Sequence, residues 1–195
     1  YNCYMIVSFT GAQSTGKTTL LNKIMDQNPY LDSIDEVTRR IKREYDLPIN
    51  EEGGDITQSM IMSDHIANVY RKVKGDVLLD RCAMDGIVYT HWLYNKGKVS
   101  KEVLNWSRKI YNQLIDTYDV IFYTSPDDVL LVDDGERSIN VDFRNEILDL
   151  FDDYIFELVI ESRADNIYTV RGTVDERLNY IKKVLDKKQI DIKIR

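Results

Sequence analysis

The run SFTGAQSTGKTTLLNKI, Ser8 to Ile24, constrains this 195-residue chain more than any other stretch. Gly11, Gly16, Lys17 and Thr18 satisfy the pattern glycine, four residues, glycine, lysine, then serine or threonine. An apolar run from Met5 to Thr10 leads into the pattern, and a helical spacing follows it from Lys17 to about Met25. A strand, a glycine-rich loop and a helix in that order predict an α/β fold with an anion site where the loop meets the helix. The glycines permit backbone conformations and close approaches that a side chain would block. Along Gly11, Ala12, Gln13, Ser14, Thr15, Gly16, Lys17, Thr18 and Thr19 the peptide N–H groups can then turn inward onto phosphate oxygens, helped by the helix dipole. Lys17 sets a cation at the β- and γ-phosphates, and the Thr18 hydroxyl is placed to ligate magnesium. The stretch is expected to hold a nucleoside triphosphate.

The rest of the chain alternates strand-like and helical segments, as in a mostly parallel sheet covered on both faces. Strands are predicted at 5–10, 32–35, 75–80, 118–124 and 166–170. Helices are predicted at 17–25, 37–45, 56–74, 83–94, 101–117, 141–162 and 174–187. The polar stretch at about 127–140 reads as a lid. No internal repeat, low-complexity tract or linker interrupts this order, so residues 1–195 are expected to form one domain.

Composition narrows the setting. No apolar run approaches the roughly 18 residues of a membrane span, and no leader peptide is visible ahead of the glycine loop, where Met5 could itself be a natural start with Tyr1 to Tyr4 an upstream extension. A formal net charge of −7 disfavours a broad nucleic-acid or anionic-membrane surface. Cys3 and Cys82 form no CxxC pair, which points to a reducing, cytoplasmic setting with inert thiols. His65 and His91 lack metal-ligand spacing. Richness in Ile, Asn, Asp, Lys and Tyr is compatible with an AT-rich genome, viral genomes among them.

The destination of the γ-phosphate divides three classes. A GTPase should carry Asn-Lys-x-Asp after strand 4, where this chain has TSPDD, Thr124 to Asp128. A motor ATPase usually ends a strand in paired acids and carries further machinery. Strand 3 instead ends VLLDRC, with Asp80 followed by Arg81. An acid there can hold magnesium or its water, and an arginine can neutralise phosphate charge, which suits a kinase.

These residues resemble the P-loop nucleoside and nucleotide kinases, and the lid pattern is similar to that of ribosylnicotinamide kinases. The likeness runs through GAQSTGKTTL, DEVTRRI, VLLDRC with DGIVY behind it, YDVIFYTSPDD, VDDGERSINVDFR and VRGTVDER. Asp80-Arg81 departs from the acid-x-acid pattern of the ribosylnicotinamide group and is closer to thymidylate and deoxynucleoside kinases. The resemblance implies a three-layer P-loop NTPase fold, with a five-stranded parallel sheet in the order 2-3-1-4-5 and the lid between strands 4 and 5. It implies ATP and Mg2+ as cofactors and a nucleoside or nucleotide as the phosphate acceptor. It further implies that Glu36 meets the acceptor hydroxyl, that Arg39 contacts the acceptor or its phosphate, and that Gly172 and Thr173 receive adenine. Arg137 would close over the triphosphate from the lid, with Arg144 just behind it.

In a sheet of that order, Asp80 ends beside the phosphate loop and Glu36 one strand further out, over the acceptor. Asp80 with Thr18 is therefore the expected metal site, and Glu36 the expected base. On the helix after Arg81, Tyr89 and Trp92 lie three apart, near His91 and Tyr94; they could form one wall for a base, with Tyr89 the substrate-binding candidate, although aromatics at helical spacing are more often core. The competing readings are a kinase acting on a base or end of DNA or RNA, and a regulatory module that binds ATP with little turnover.

Overall fold

Among the described residues five strands form one sheet, its three central strands carry the buried apolar runs, and helices cover both faces. A computed structural model describes residues 4–34, 37–71, 75–126 and 140–194. In chain order the elements are β1 (Ile6–Thr10), α1 (Lys17–Met25), β2 (Asp32–Ile34), α2 (Val37–Tyr45), α3 (Asp55–Val69), β3 (Val77–Leu79), α4 (Ala83–Asn95), α5 (Lys101–Leu114), β4 (Val120–Thr124), α6 (Val141–Ile160), β5 (Ile167–Val170) and α7 (Val174–Lys188). All pairings are parallel and the strand order is β2-β3-β1-β4-β5, as predicted.

The two-residue period of the strands sorts their side chains into two cores. Val7, Phe9, Leu78, Val120 and Phe122 face α1 and α7, where Leu20, Ile24, Ile181 and Leu185 meet them. Ile6, Val77, Leu79, Ile121 and Tyr123 face the other way, onto Met84, Ile87, Leu104, Ile147 and Phe151 of α4, α5 and α6. Burial on both faces is what a parallel sheet requires, and each large apolar side chain contributes about 1.5–3 kcal/mol to it. The result is three layers, with the strand C-termini left as the open edge where ligands bind in such sheets.

Several boundaries differ from expectation for local reasons. α3 stops at Val69 rather than Lys74: the Tyr70 N–H still bonds to the Ile66 carbonyl, but Tyr70 has left helical geometry at ψ 8°. α5 tightens into a 3-10 turn at Ile115–Thr117, where the Thr117 hydroxyl donates to the Leu114 carbonyl. α6 ends at Ile160 because Ser162 adopts a left-handed φ of 57° and the Arg163 N–H closes back onto the Leu158 carbonyl. β3 and β4 are shorter than predicted, starting at Val77 and Val120. The predicted lid at 127–140 falls outside the described residues except for Asn140, which caps α6 by accepting the Phe143 N–H.

Candidate functional site

Register places the first acid. Ser8 pairs with Leu79, so Asp80 follows β3 alongside the last turn of β1 into the glycine loop. The Thr18 hydroxyl, on the first turn of α1, donates to Asp80 Oδ2 at 3.2 Å. A hydroxyl and a carboxylate side by side at the loop are hard oxygen donors of the kind Mg2+ accepts alongside phosphates and water.

The loop itself is held open by two glycines. Gly11 has φ 135°, and a Cβ there would come within 2.9 Å of the Thr124 carbonyl and hydroxyl on β4. Gly16 has φ 86° and caps α1. Gln13 to Thr18 line a small concavity together with Arg81. Lys17 is buried, its Nζ donating to the Gly11 carbonyl at 2.7 Å and the Ala12 carbonyl at 2.6 Å. Two further buried atoms, Gln13 Nε2 and Ser14 Oγ, have no hydrogen-bond partner among the described residues. Such atoms are costly in a dry site, and phosphate oxygens are suitable partners for them. Thr19, by contrast, is exposed on the outer face of α1 and lies outside the concavity.

Arg81 occupies a backbone conformation that non-glycine residues rarely adopt, at φ 140°. A conformation of that kind costs about 1–3 kcal/mol and persists where surrounding contacts fix it. Here the contacts are explicit. Asp85 Oδ1 accepts Arg81 Nη1 at 2.8 Å, and the guanidinium sits 5.6 Å from the centre of the Tyr89 ring. The other oxygen of Asp85 accepts the Thr10 hydroxyl at 2.7 Å and the Cys82 N–H at 3.1 Å, so Asp85 caps α4 and ties β1 to it. Behind it the Cys82 thiol is fully buried and its pKa is pushed up to about 12, chiefly by that burial, which disfavours the reactive thiolate.

Beyond Arg81 opens a second, narrow cavity with about 350 Å³ of empty space, open solvent included, of which about 20 Å³ admits the centre of a water molecule. Thr38 of α2, Gln58, Ile61 and His65 of α3, and Asp85, Gly86 and Tyr89 of α4 line it, with Asn50 from the preceding turn. Gly86 lets the helices close: a Cβ there would come within 2.4 Å of Met62 Sδ and 3.1 Å of the His65 ring. Tyr89 joins the two chambers by donating its hydroxyl to Gln13 Oε1 at 3.0 Å. Trp92 does not share this wall and takes the core reading. It stacks edge-on against Phe143 with ring centres 4.5 Å apart and belongs to the core.

His65 is 1% exposed, and its Nε2 has no hydrogen-bond partner among the described residues. Burial lowers its pKa from 6.5 to about 4, so the imidazole is neutral near pH 7. The unfolded chain then takes up a proton below pH 6.5 that the folded chain refuses. Stability is therefore full above pH 6.5 and falls as the pH drops toward 4, by up to about 3 kcal/mol from this group. Urea unfolding at pH 7 and pH 4.5 should show that loss in the wild type and a smaller one in His65→Asn.

The other sequence-derived candidates scatter. Glu36 and Arg137 lie outside the described residues. Arg39, on α2, and the half-buried Arg144, on α6, line neither chamber. Burial lowers the Arg144 pKa from its ordinary value. Gly172 and Thr173 form the turn into α7. Asp85, Gln58 and His65 were not singled out from sequence. Only Asp85 carries a signal there, as an acid three residues after the Cys82 cap position.

Comparison with known proteins matches this layout. A family model described as an AAA domain matches residues 6–177. No curated protein matches the sequence. Among similar solved structures, a NadR protein in complex with NR has a TM-score of 0.73 at 20% identity, over 98% of this chain and 53% of that chain. The chain thus spans about half the length of that NadR chain. A deoxyadenosine kinase from M. mycoides gives a TM-score of 0.67 at 12% identity, over 94% of this chain and 100% of that one. A thymidylate kinase from Candida albicans gives 0.65 at 14%, over 96% and 93%. At these identities the likeness is one of fold.

Proposed function

The chain belongs to the AAA-domain family, and from that premise we propose that it is an ATP- and magnesium-dependent kinase transferring the γ-phosphate to a nucleoside-like or nucleotide-like small molecule. One observation carries the reading: Arg81 lines both the phosphate-loop concavity and the second cavity. A γ-phosphate on Lys17 and an acceptor hydroxyl in the cavity would meet at that guanidinium, which can neutralise charge on the group in transit. The acceptor oxygen forms the new bond to phosphorus as the bond to the ADP oxygen breaks, and Glu36 is assigned the hydroxyl proton. Magnesium, held by Thr18 and Asp80, would supply charge neutralisation at the β- and γ-phosphate oxygens. Residues 1–195 are taken as one kinase domain with Arg137 in its lid, and a cytoplasmic setting remains part of the proposal.

Gln58 and Tyr89 give the cavity one carboxamide and one phenol for an acceptor heterocycle and sugar. Gln58 is 1% exposed, and its Oε1 is held by the Thr90 hydroxyl at 3.0 Å. The net charge of −7 favours a small molecule over a polynucleotide. Labelled ATP offered with nucleosides, nucleotides and oligonucleotides tests this. Transfer to a small acceptor should change little between about 50 and 200 mM salt, whereas binding through several nucleic-acid phosphates weakens by orders of magnitude over that range. Steep salt dependence, or label on oligonucleotide alone, would favour a nucleic-acid kinase. ATP binding without transfer would favour the regulatory reading.

A further inference from the structure

α7 opens with a reciprocal cap. Thr173 Oγ1 accepts the Glu176 N–H at 3.3 Å, and Glu176 Oε2 accepts the Thr173 N–H at 2.8 Å. The next residue, Arg177, is turned into the protein and is 2% exposed. Helix stability does not ask for a cation there, because the first turn favours anions and a buried guanidinium must have its N–H groups satisfied. Arg177 Nε donates to the Gly172 carbonyl at 2.7 Å, Nη1 to the Thr15 carbonyl at 2.7 Å, and Nη2 to the Ser125 carbonyl at 3.1 Å. These carbonyls belong to the segments leaving β5, β1 and β4, so one side chain spans three exits on the open edge of the sheet.

We propose that Arg177 is a positioning residue that aims the phosphate loop at a polyphosphate. In a trans peptide the carbonyl and the following N–H point in opposite directions. Holding the Thr15 carbonyl on the outer side of the loop therefore turns the Gly16 N–H to the inner side, where phosphate oxygens bind. A Cβ on Gly16 would lie 3.7 Å from Arg177 Nη1, which sets the guanidinium directly behind that glycine. Its positive charge reinforces the field of the α1 N-terminus from behind the loop, in a dry site where screening is weak. The same side chain ties the Gly172-Thr173 turn to the loop. The inference rests on the donor half of the reading above and not on its acceptor half.

The test is binding of inorganic tripolyphosphate and of ATP to wild type, Arg177→Met and Arg177→Lys. Arg177→Met should weaken both ligands by about ten- to hundredfold, as expected when the charged hydrogen bond that sets the Thr15-Gly16 peptide is lost. Arg177→Lys keeps the charge without the fork and should fall between the two. A folded Arg177→Met that binds tripolyphosphate like the wild type overturns the proposal. So does a loss confined to ATP, which would limit Arg177 to ordering the Gly172-Thr173 turn. If Arg177→Met does not fold, the Gly16 amide resonance of Arg177→Lys decides: a diminished shift on tripolyphosphate titration supports the proposal, and the wild-type shift contradicts it. A wild-type chain that binds tripolyphosphate but phosphorylates no acceptor defeats the kinase reading and leaves this one standing.

Discussion

Lys17→Ala is expected to leave a folded chain whose phosphoryl transfer is slower by about 10³-fold or more, because a cation at the transferring phosphoryl group acts in a dry, preorganised site. The packing side of α1 is carried by Leu20, Leu21 and Ile24, so removing the lysine opens no gap among them. Its ammonium lies on the Gly11 and Ala12 carbonyls. Their loss of a partner costs about 1–3 kcal/mol, which a domain of ordinary stability survives. Transfer rate and thermal unfolding, measured on the same preparation, separate the two effects. A folded Lys17→Ala protein with near-normal transfer would remove the loop from the chemistry.

The second large effect divides the two acids. Asp80→Asn should raise the magnesium needed for half-maximal rate by about tenfold or more, since a neutral amide is a far weaker partner for a hard dication. The position of Asp80 supports this: it accepts from the Thr18 hydroxyl at 3.2 Å, beside the first turn of α1. Glu36 follows β2, which lies beyond β3 and so two strands, roughly 10 Å, from β1. Glu36→Gln should therefore lower kcat while the magnesium requirement stays unchanged. Magnesium titrations at saturating ATP read both variants. Exchanged phenotypes would mean the two roles are swapped, and an unaffected Glu36→Gln would take Glu36 out of the site.

How far the sequence carried depended on the range of the interaction. Local rules fixed the loop and α1, whose observed span, Lys17–Met25, is the predicted one, because glycine spacing and helix periodicity act within a few residues. The strand order came through the family resemblance, and Asp80 followed from it. Side chains that depend on distant neighbours were not legible. Tyr89 and Trp92 are equivalent by helical spacing and both rings meet Phe143 of α6, some fifty residues on, yet Trp92 is buried in the core while Tyr89 also reaches Gln13. The φ of Arg81 has no composition signal, since its anchor Asp85 looks like any helix-capping acid. His65 reads as one polar residue in a mixed helix until Gly86 is seen against it. Arg177 stands in the VRGTVDER run, but its contact with Thr15 joins residues 162 apart.

The most direct measurement is a structure of the chain with a non-hydrolysable ATP analogue, magnesium and the acceptor that takes up label. The expected result has the γ-phosphate on Lys17 and the Gly16 N–H, the acceptor in the cavity between Gln58 and Tyr89, and its reactive oxygen facing that phosphate beside Arg81. An acceptor bound elsewhere, or a cavity sealed from the γ-phosphate when both ligands are present, would contradict phosphoryl transfer across Arg81.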